Sequence, residues 1–402
     1  MANIAVLGYG TVGSGVVEVI KTNQEIVNSN AGEEVNVKYV LDLREFKGDP
    51  VEKILVHDFD VILKDEDVSV VVEVMGGVEP AYTFVKNSLL AGKSVCTSNK
   101  ALVADKGPEL IRIAREKNVN FFFEASVGGG IPIIRPLNSS LTADKIMEIS
   151  GILNGTTNYM LTKMADEGWE FDEALKTAQD LGYAERNPEA DVEGHDACRK
   201  IAILTSLYTG KNVNFEKIHT EGITKISATD IKYAKKLNKA IKLVASSKRV
   251  NDEIVSMVTP VMLDKSHPLY NVSDVFNAVF VKGNVLGDAM FYGSGAGKLP
   301  TASAVVSDVV AAVRNKSNVL VNWDAEDLQL ADVNTVVRPF FVRVSGNESG
   351  KIDAIKAVFG EVSTVQVSDV MGEFGFVTKE MSEKEFNEKY AKLEGAITRI
   401  RM

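Results

Sequence analysis

ANIAVLGYGTVGSGVVEVIK, residues 2–21, reads in one pass as a strand, a glycine turn and a helix. Ile4 to Leu7 is an unbroken apolar run, as expected of a strand buried on both faces of a parallel sheet. Gly8-Tyr9-Gly10-Thr11-Val12-Gly13 follows as G-x-G-x-x-G, and Ser14 to Lys21 has helical character. In such a turn the first glycine permits the tight bend, the second lets the backbone approach a pyrophosphate, and the third lets the helix pack closely. The motif alone is weak; between a strand and a helix it makes Gly8, Tyr9, Gly10, Thr11, Val12 and Gly13 candidate dinucleotide contacts.

The next segments extend that reading. Val35 to Leu41 is a second strand, with Asp42 at its end and Arg44 just beyond. An acid there suits the ribose hydroxyls of NAD, and an arginine suits the extra phosphate of NADP. Both are present, and the polar insertion over 22–34 places the acid further along than usual, so the cofactor choice stays open. Val68 to Val74 is a nearly continuous β-branched run, followed by Gly76-Gly77. Pro80 to Ala91 reads as a helix, Ser94 to Thr97 as a strand, and Ser98-Asn99-Lys100 follows it. Strands alternating with helices predict an α/β protein with a doubly wound nucleotide-binding sheet.

Composition bounds the remaining possibilities. The chain has 402 residues, enough for two or three domains, and is 45% apolar and 25% charged, as in ordinary globular proteins. A net charge of −10 argues against nucleic acid or an anionic membrane as partner, since either wants a basic face. No apolar run is long enough to span a bilayer, and the chain opens on a strand without a charged-then-apolar leader. Cys96 and Cys198 are too few for a disulfide framework, which fits a reducing cytoplasm. Four dispersed histidines make a His-based metal site or a Ser/His triad a poor expectation.

The densest chemistry lies at AQDLGYAERNPEADVEGHDACRK, residues 178–200. Phe171, Ala174, Leu175, Ala178 and Leu181 recur at helical spacing and predict a helix stopping at Gly182. Ile201, Leu204 and Tyr208 begin a second apolar stripe. Asp196 and Lys200 fall four apart on that second helix and so share a face. A solvated turn with a surface ion pair is the plain alternative. The apolar helix that follows instead sets the pair at the rim of a core, where a lysine beside a carboxylate is a candidate for proton transfer.

The pattern A-x3-G-Y-A-x2-N-P-x2-D-V-x-G-x-D-x3-K in this stretch closely resembles the signature of homoserine dehydrogenases. GILNGTTNYML (151–161), TSNKA (97–101) and GSGAGKLPTA (293–302) resemble that family as well. The resemblance implies NAD(P)-dependent interconversion of L-homoserine and L-aspartate 4-semialdehyde, the branch step toward threonine and methionine, by a homodimer. It implies Lys200 as the base, Lys100 steadying the same oxygen, Glu185 and Asp196 binding substrate, and Asp191 as a helper. It further implies cofactor contacts at Thr97, Ser98, Lys100, Gly182 and Gly297, beside the G-x-G-x-x-G residues and Arg44.

Glu124-Ala125-Ser126-Val127-Gly128-Gly129-Gly130-Ile131-Pro132 follows the strand begun by Phe121. Three successive glycines suggest a backbone that must reach something. One carboxylate with exposed carbonyls suits a hard monovalent cation, and a hinge between domains suits the stretch equally. The family resemblance (E-A-x-V-G-x-G-x-P) implies a structural sodium held by Glu124 and the carbonyls of Val127, Gly129 and Ile131.

Three domains are expected: a nucleotide-binding domain over 1–134, completed by a helix near 300–320; an α+β catalytic and dimerisation domain over 135–299; and a βαββαβ module over 336–402 that resembles an ACT domain. In the module, Asn347-Glu348-Ser349-Gly350 replaces the usual D-x-P-G turn, which puts effector binding in doubt. Two rival readings remain: a dehydrogenase of another amino-acid alcohol, disfavoured by the carboxylates at Glu185 and Asp196, and a non-catalytic nucleotide sensor, disfavoured by Lys100 and Lys200 together.

Overall fold

The computed structural model describes every residue, Met1–Met402, and divides the chain into two compact units. The first comprises 1–145, 202–215 and 291–328; the second comprises 146–201, 216–290 and 329–402. The expected three-way division thus meets a two-way one. Residues 336–402 share a unit with most of the expected catalytic domain, and 202–215 joins the nucleotide-binding segment.

The first unit is built on β1 (Ala2–Leu7), α1 (Thr11–Thr22), α2 (Gln24–Ala31), β2 (Val35–Leu41), β3 (Leu55–Val56), α3 (Phe59–Lys64), β4 (Val68–Glu73), α4 (Ala81–Leu90), β5 (Ser94–Thr97), α5 (Lys100–Glu116) and β6 (Phe121–Phe122). Its six strands are parallel in the order β3-β2-β1-β4-β5-β6. The order reverses between β1 and β4, which opens a crevice at the carboxyl ends of those strands. Every residue of β1 is buried, which is why its sequence shows no polar alternation.

In the second unit, β7 (Ile146–Ile152), α6 (Gly155–Asp166), α7 (Phe171–Asp180), α8 (Glu189–Val192) and the start of α9 (His195–Thr209) precede β8 (His219–Thr220), α10 (Ala228–Lys236), β9 (Lys239–Val250), β10 (Glu253–Asp264), β11 (Phe276–Gly283) and the first half of β12 (Gly287–Ser294). The chain then forms α11 (Lys298–Arg314), which belongs to the first unit. There Val305, Val306 and Val309 join the core with Ile4, Val6, Val16 and Ile20. A Cβ on Gly15 of α1 would sit 2.9 Å from the Lys298 carbonyl oxygen, so glycine permits the close approach of the two helices.

The carboxyl end runs β13 (Val337–Arg338), β14 (Phe340–Ser345), α12 (Glu348–Phe359), β15 (Val362–Val365), β16 (Glu373–Thr378), β17 (Met381–Ser382), α13 (Glu383–Tyr390) and β18 (Ala396–Arg401). The long strands and helices follow the order read from the sequence, with the short pair β13–β17 added. Asn347 caps α12 by accepting the Gly350 amide, which is the local use of the altered turn. This region has its own core, with Phe340 stacked on Phe386 at 3.8 Å. Its sheet is nevertheless continuous with the neighbouring one: the strands run β11-β7-β9-β10-β18-β14-β16-β15, with β12 at the edge. Ion pairs hold the module, Arg401 bonding Glu383 in a buried pair and Glu221 in a partly buried one, and Arg343 likewise bonding Asp230 and Glu373.

Candidate active site

The crevice beside β1 and β4 is a cavity of about 540 Å³ bordered by Gly8, Gly10, Asp42, Arg44, Met75 and Gly76, among others. Gly8 has φ +95°, a conformation L side chains avoid. A Cβ on Gly13 would lie 1.9 Å from the Gly8 carbonyl oxygen, whereas one on Gly10 would meet nothing within 4 Å. Gly13 thus closes the turn onto α1, and Gly10 leaves room above the helix end. No side chain caps α1, so its first amides and the positive end of its dipole face that room. Thr11 is exposed and Val12 half-buried. The Tyr9 amide donates to Asp42 Oδ2 at 2.8 Å, locking the glycine turn to the end of β2.

Asp42 and Arg44 do not compete for a ligand as separate groups. Arg44 Nε and Nη2 each donate to the Asp42 carboxylate at 2.9 Å, and that guanidinium holds the carboxyl well below its ordinary range. His57 adds a ring nitrogen 2.6 Å from the Asp42 carbonyl oxygen, which raises its pKa. The sequence reading missed His57, because a lone histidine on a loop carries no signal until β2 and β3 pair.

Thr97 is buried at the end of β5, Ser98 and Lys100 are half-buried, and Lys100 is the first residue of α5. Gly297, with φ +111°, precedes α11, whose start also lacks a side-chain cap. Gly182 is exposed after α7 in the second unit.

The second unit assembles the acid–lysine group. Lys200 Nζ, buried, donates to Asp196 Oδ2 at 2.7 Å and to the Leu153 carbonyl oxygen at 2.6 Å. Asn154 Nδ2 donates to Asp191 Oδ1 at 2.7 Å and Asp196 Oδ2 at 2.9 Å, while its Oδ1 caps α6 through the Thr157 amide. The sequence reading missed this bridge. The structure gathers Asp191, Asp196 and Lys200 through Asn154 at the end of β7. Glu185 stands apart from them as an exposed side chain on the loop after α7.

The glycine loop after β6 distributes its polar groups unequally. The buried Glu124 carboxylate accepts the amides of Ile133 at 2.6 Å, Ile134 at 2.8 Å and Arg135 at 2.7 Å. Within the loop the Ile131 amide donates to the Gly128 carbonyl oxygen at 2.9 Å, and the Gly130 amide donates to that of Ser294 at 3.1 Å. Gly128 and Gly129 have positive φ, and a Cβ on Gly129 would come 2.5 Å from the Gly295 carbonyl oxygen. The Glu124 amide in turn donates to Asp308 of α11 at 2.8 Å, and burial raises the Asp308 carboxyl to about 7. No three His, Cys, Asp or Glu side chains cluster closely enough to hold a metal ion, so a cation here would rely on carbonyls.

Comparison with known proteins agrees with this geometry. Residues 8–124 match the model of the homoserine dehydrogenase NAD-binding domain, and residues 132–310 match that of homoserine dehydrogenase itself. The chain is 39% identical over 402 residues to the homoserine dehydrogenase of Bacillus subtilis, covering 96% of this chain and 93% of that one. Among solved structures, a homoserine dehydrogenase from Thiobacillus denitrificans superposes with a TM-score of 0.91 at 34% identity, covering 100% and 97% of the two chains. A hyperthermophilic archaeal homoserine dehydrogenase solved with NADPH gives 0.65 at 29%, covering 77% and 97%. With the glycine turn, the crevice and the buried lysine already in place, these similarities decide the assignment: the chain belongs to the homoserine dehydrogenase family and is an NAD(P)-dependent oxidoreductase.

Proposed function

We propose that Lys200 is the base of the family reaction, the interconversion of L-homoserine and L-aspartate 4-semialdehyde, with Lys100 steadying the reacting oxygen. The observation that carries this reading is the buried Lys200 amine, fixed by Asp196 and Leu153 at the end of β7. In the oxidative direction the neutral amine takes the hydroxyl proton as the carbinol carbon loses hydride, leaving an aldehyde and a lysine ammonium; the reductive direction returns both. Bound NAD or NADP supplies the hydride acceptor. Asp196 orients the amine and, with Glu185, draws the substrate ammonium. Asp191 acts through Asn154. A lysine base must be neutral to accept a proton, so oxidation accelerates toward alkaline pH.

The first helix turn and the Gly297 loop hold the cofactor phosphates and amide. Gly182 adds a cofactor contact, and Arg44 selects between nucleotides. A sodium ion held by Glu124 and the carbonyls of Val127, Gly129 and Ile131 ties the glycine loop. Added NaCl, against choline chloride, should then raise the melting temperature. The 336–402 module is ACT-like and structural. The enzyme works as a cytoplasmic homodimer, which sedimentation checks.

The deciding assay follows reduced-cofactor absorbance with L-homoserine and NAD or NADP at alkaline pH, with Lys200→Ala beside the parent. Turnover that collapses in the variant while cofactor still binds supports the reading. A folded, cofactor-binding parent that does not turn over homoserine overturns it.

A further inference from the structure

We propose that Glu73 is a positioning residue for the reaction, linking the ends of β4 and β5 and acting through Thr97 and Asn99 on Lys100. The inference rests on the reading of Lys100 given above. Glu73 is the last residue of β4 and is fully buried. Its Oε1 accepts the Met75 amide at 2.8 Å and, at 3.4 Å, that of Gly76, both bordering the nucleotide crevice. Its Oε2 accepts the Thr97 hydroxyl at 2.6 Å.

The linkage continues in one direction. Thr97 Oγ1 accepts the Asn99 amide at 2.9 Å, so its single proton is directed to Glu73. Asn99 caps α5, its Oδ1 accepting the Leu102 amide at 3.1 Å, while its Nδ2 donates to the Gly77 carbonyl oxygen at 2.5 Å. Lys100 is the next residue, at the first position of the capped helix. One carboxylate thus sets the turn after β4 and, two hydrogen bonds away, the residue from which Lys100 leaves the sheet.

A buried carboxylate is a costly way to brace a turn, and burial raises the Glu73 pKa above its ordinary value. Its acceptor-only chemistry explains the choice. Glutamine preserves the size but brings one NH2; facing Thr97 it reverses that hydrogen bond, so the hydroxyl accepts from it as well as from the Asn99 amide and its own proton is turned away from position 73. Valine at position 97 preserves the packing and removes the relay.

The test uses the full chain and measures kcat, KM for homoserine and the cofactor dissociation constant for Glu73→Ala, Glu73→Gln, Thr97→Val, Lys100→Ala and Glu73→Ala/Lys100→Ala. Misplacing a reacting group by an ångström costs about 10²-fold, and that loss in kcat is expected for Glu73→Ala, with a smaller one for Glu73→Gln. In the Lys100→Ala background the Glu73 substitution should cost less than about twofold, because the residue it positions is gone. A purely structural Glu73 would lower the melting temperature and cost the same in both backgrounds, which overturns the proposal. If Glu73→Ala does not fold, Thr97→Val carries the same comparison in both backgrounds. If Lys100→Ala costs rate and the Glu73 and Thr97 variants do not, the positioning role alone falls. If Lys100→Ala leaves turnover intact, the reading of Lys100 falls and takes the positioning role with it.

Discussion

Asp196 Oδ2 lies 2.7 Å from Lys200 Nζ, one helical turn away on α9, and accepts Asn154 Nδ2 at 2.9 Å. The carboxylate therefore holds the lysine in place. Asp196→Asn should lower turnover, because the amine loses the carboxylate that fixes it. Lys200→Met should cost about 10²- to 10⁴-fold and abolish the alkaline rise. A pH–rate profile for each variant checks both; undiminished turnover in Asp196→Asn counts against the orienting role.

Arg44 occupies the Asp42 carboxylate through two hydrogen bonds of 2.9 Å. Arg44→Ala removes the guanidinium proposed to meet the NADP phosphate and at the same time frees a carboxylate that suits ribose hydroxyls. The ratio of kcat/KM for NAD over NADP should rise by about tenfold or more, as expected when a charge-assisted contact is lost and another gained. Parallel losses with both cofactors would place Arg44 in support of the turn.

Gly13→Ala puts a Cβ where the Gly8 carbonyl oxygen stands 1.9 Å away. The turn and the start of α1 must separate, so cofactor binding should fall below detection by fluorescence titration. Gly10→Ala meets open space and should weaken binding only as far as the methyl obstructs the ligand. Equal affinities for the two variants would contradict the assigned geometry.

Lys242 is buried on β9, its Nζ donating to the Val272 carbonyl oxygen at 2.5 Å, and desolvation lowers it from 10.5 to about 8. Between those values the unfolded chain holds more proton than the folded one, so this group makes stability rise with pH across that window. Its cost is fully present below about 8. Stability of the parent relative to Lys242→Met should therefore increase by about 2–3 kcal/mol from pH 7.5 to 10.5. Urea unfolding of both proteins at the two pH values measures it, and a constant difference rejects a depressed lysine.

Much of the fold was legible because its cause is local. The apolar runs of β1 and β4, the glycine spacing and the helical stripe before Gly182 each fix an element from neighbouring residues. Several motifs resemble those of the family in the sequence alone. Boundaries were less legible: α6 begins at Gly155 because Asn154 caps it in place. Division of the chain into units was not legible either, since 202–215 joins the first unit through packing that no sequence signal announces.

By itself the sequence determined the α/β class, the dinucleotide turn, the i,i+4 pairing of Asp196 with Lys200 and the place of Lys100 after a strand. Backbone periodicity and chain spacing suffice for each. Tertiary structure decided which charges meet. It joined Arg44 to Asp42, gave the Glu124 carboxylate three backbone amides, bridged Asp191 to Asp196 through Asn154 and left Glu185 exposed. Hydrogen bonds reach about 3 Å, and residues separated along the chain come within that reach only when strands and helices have packed.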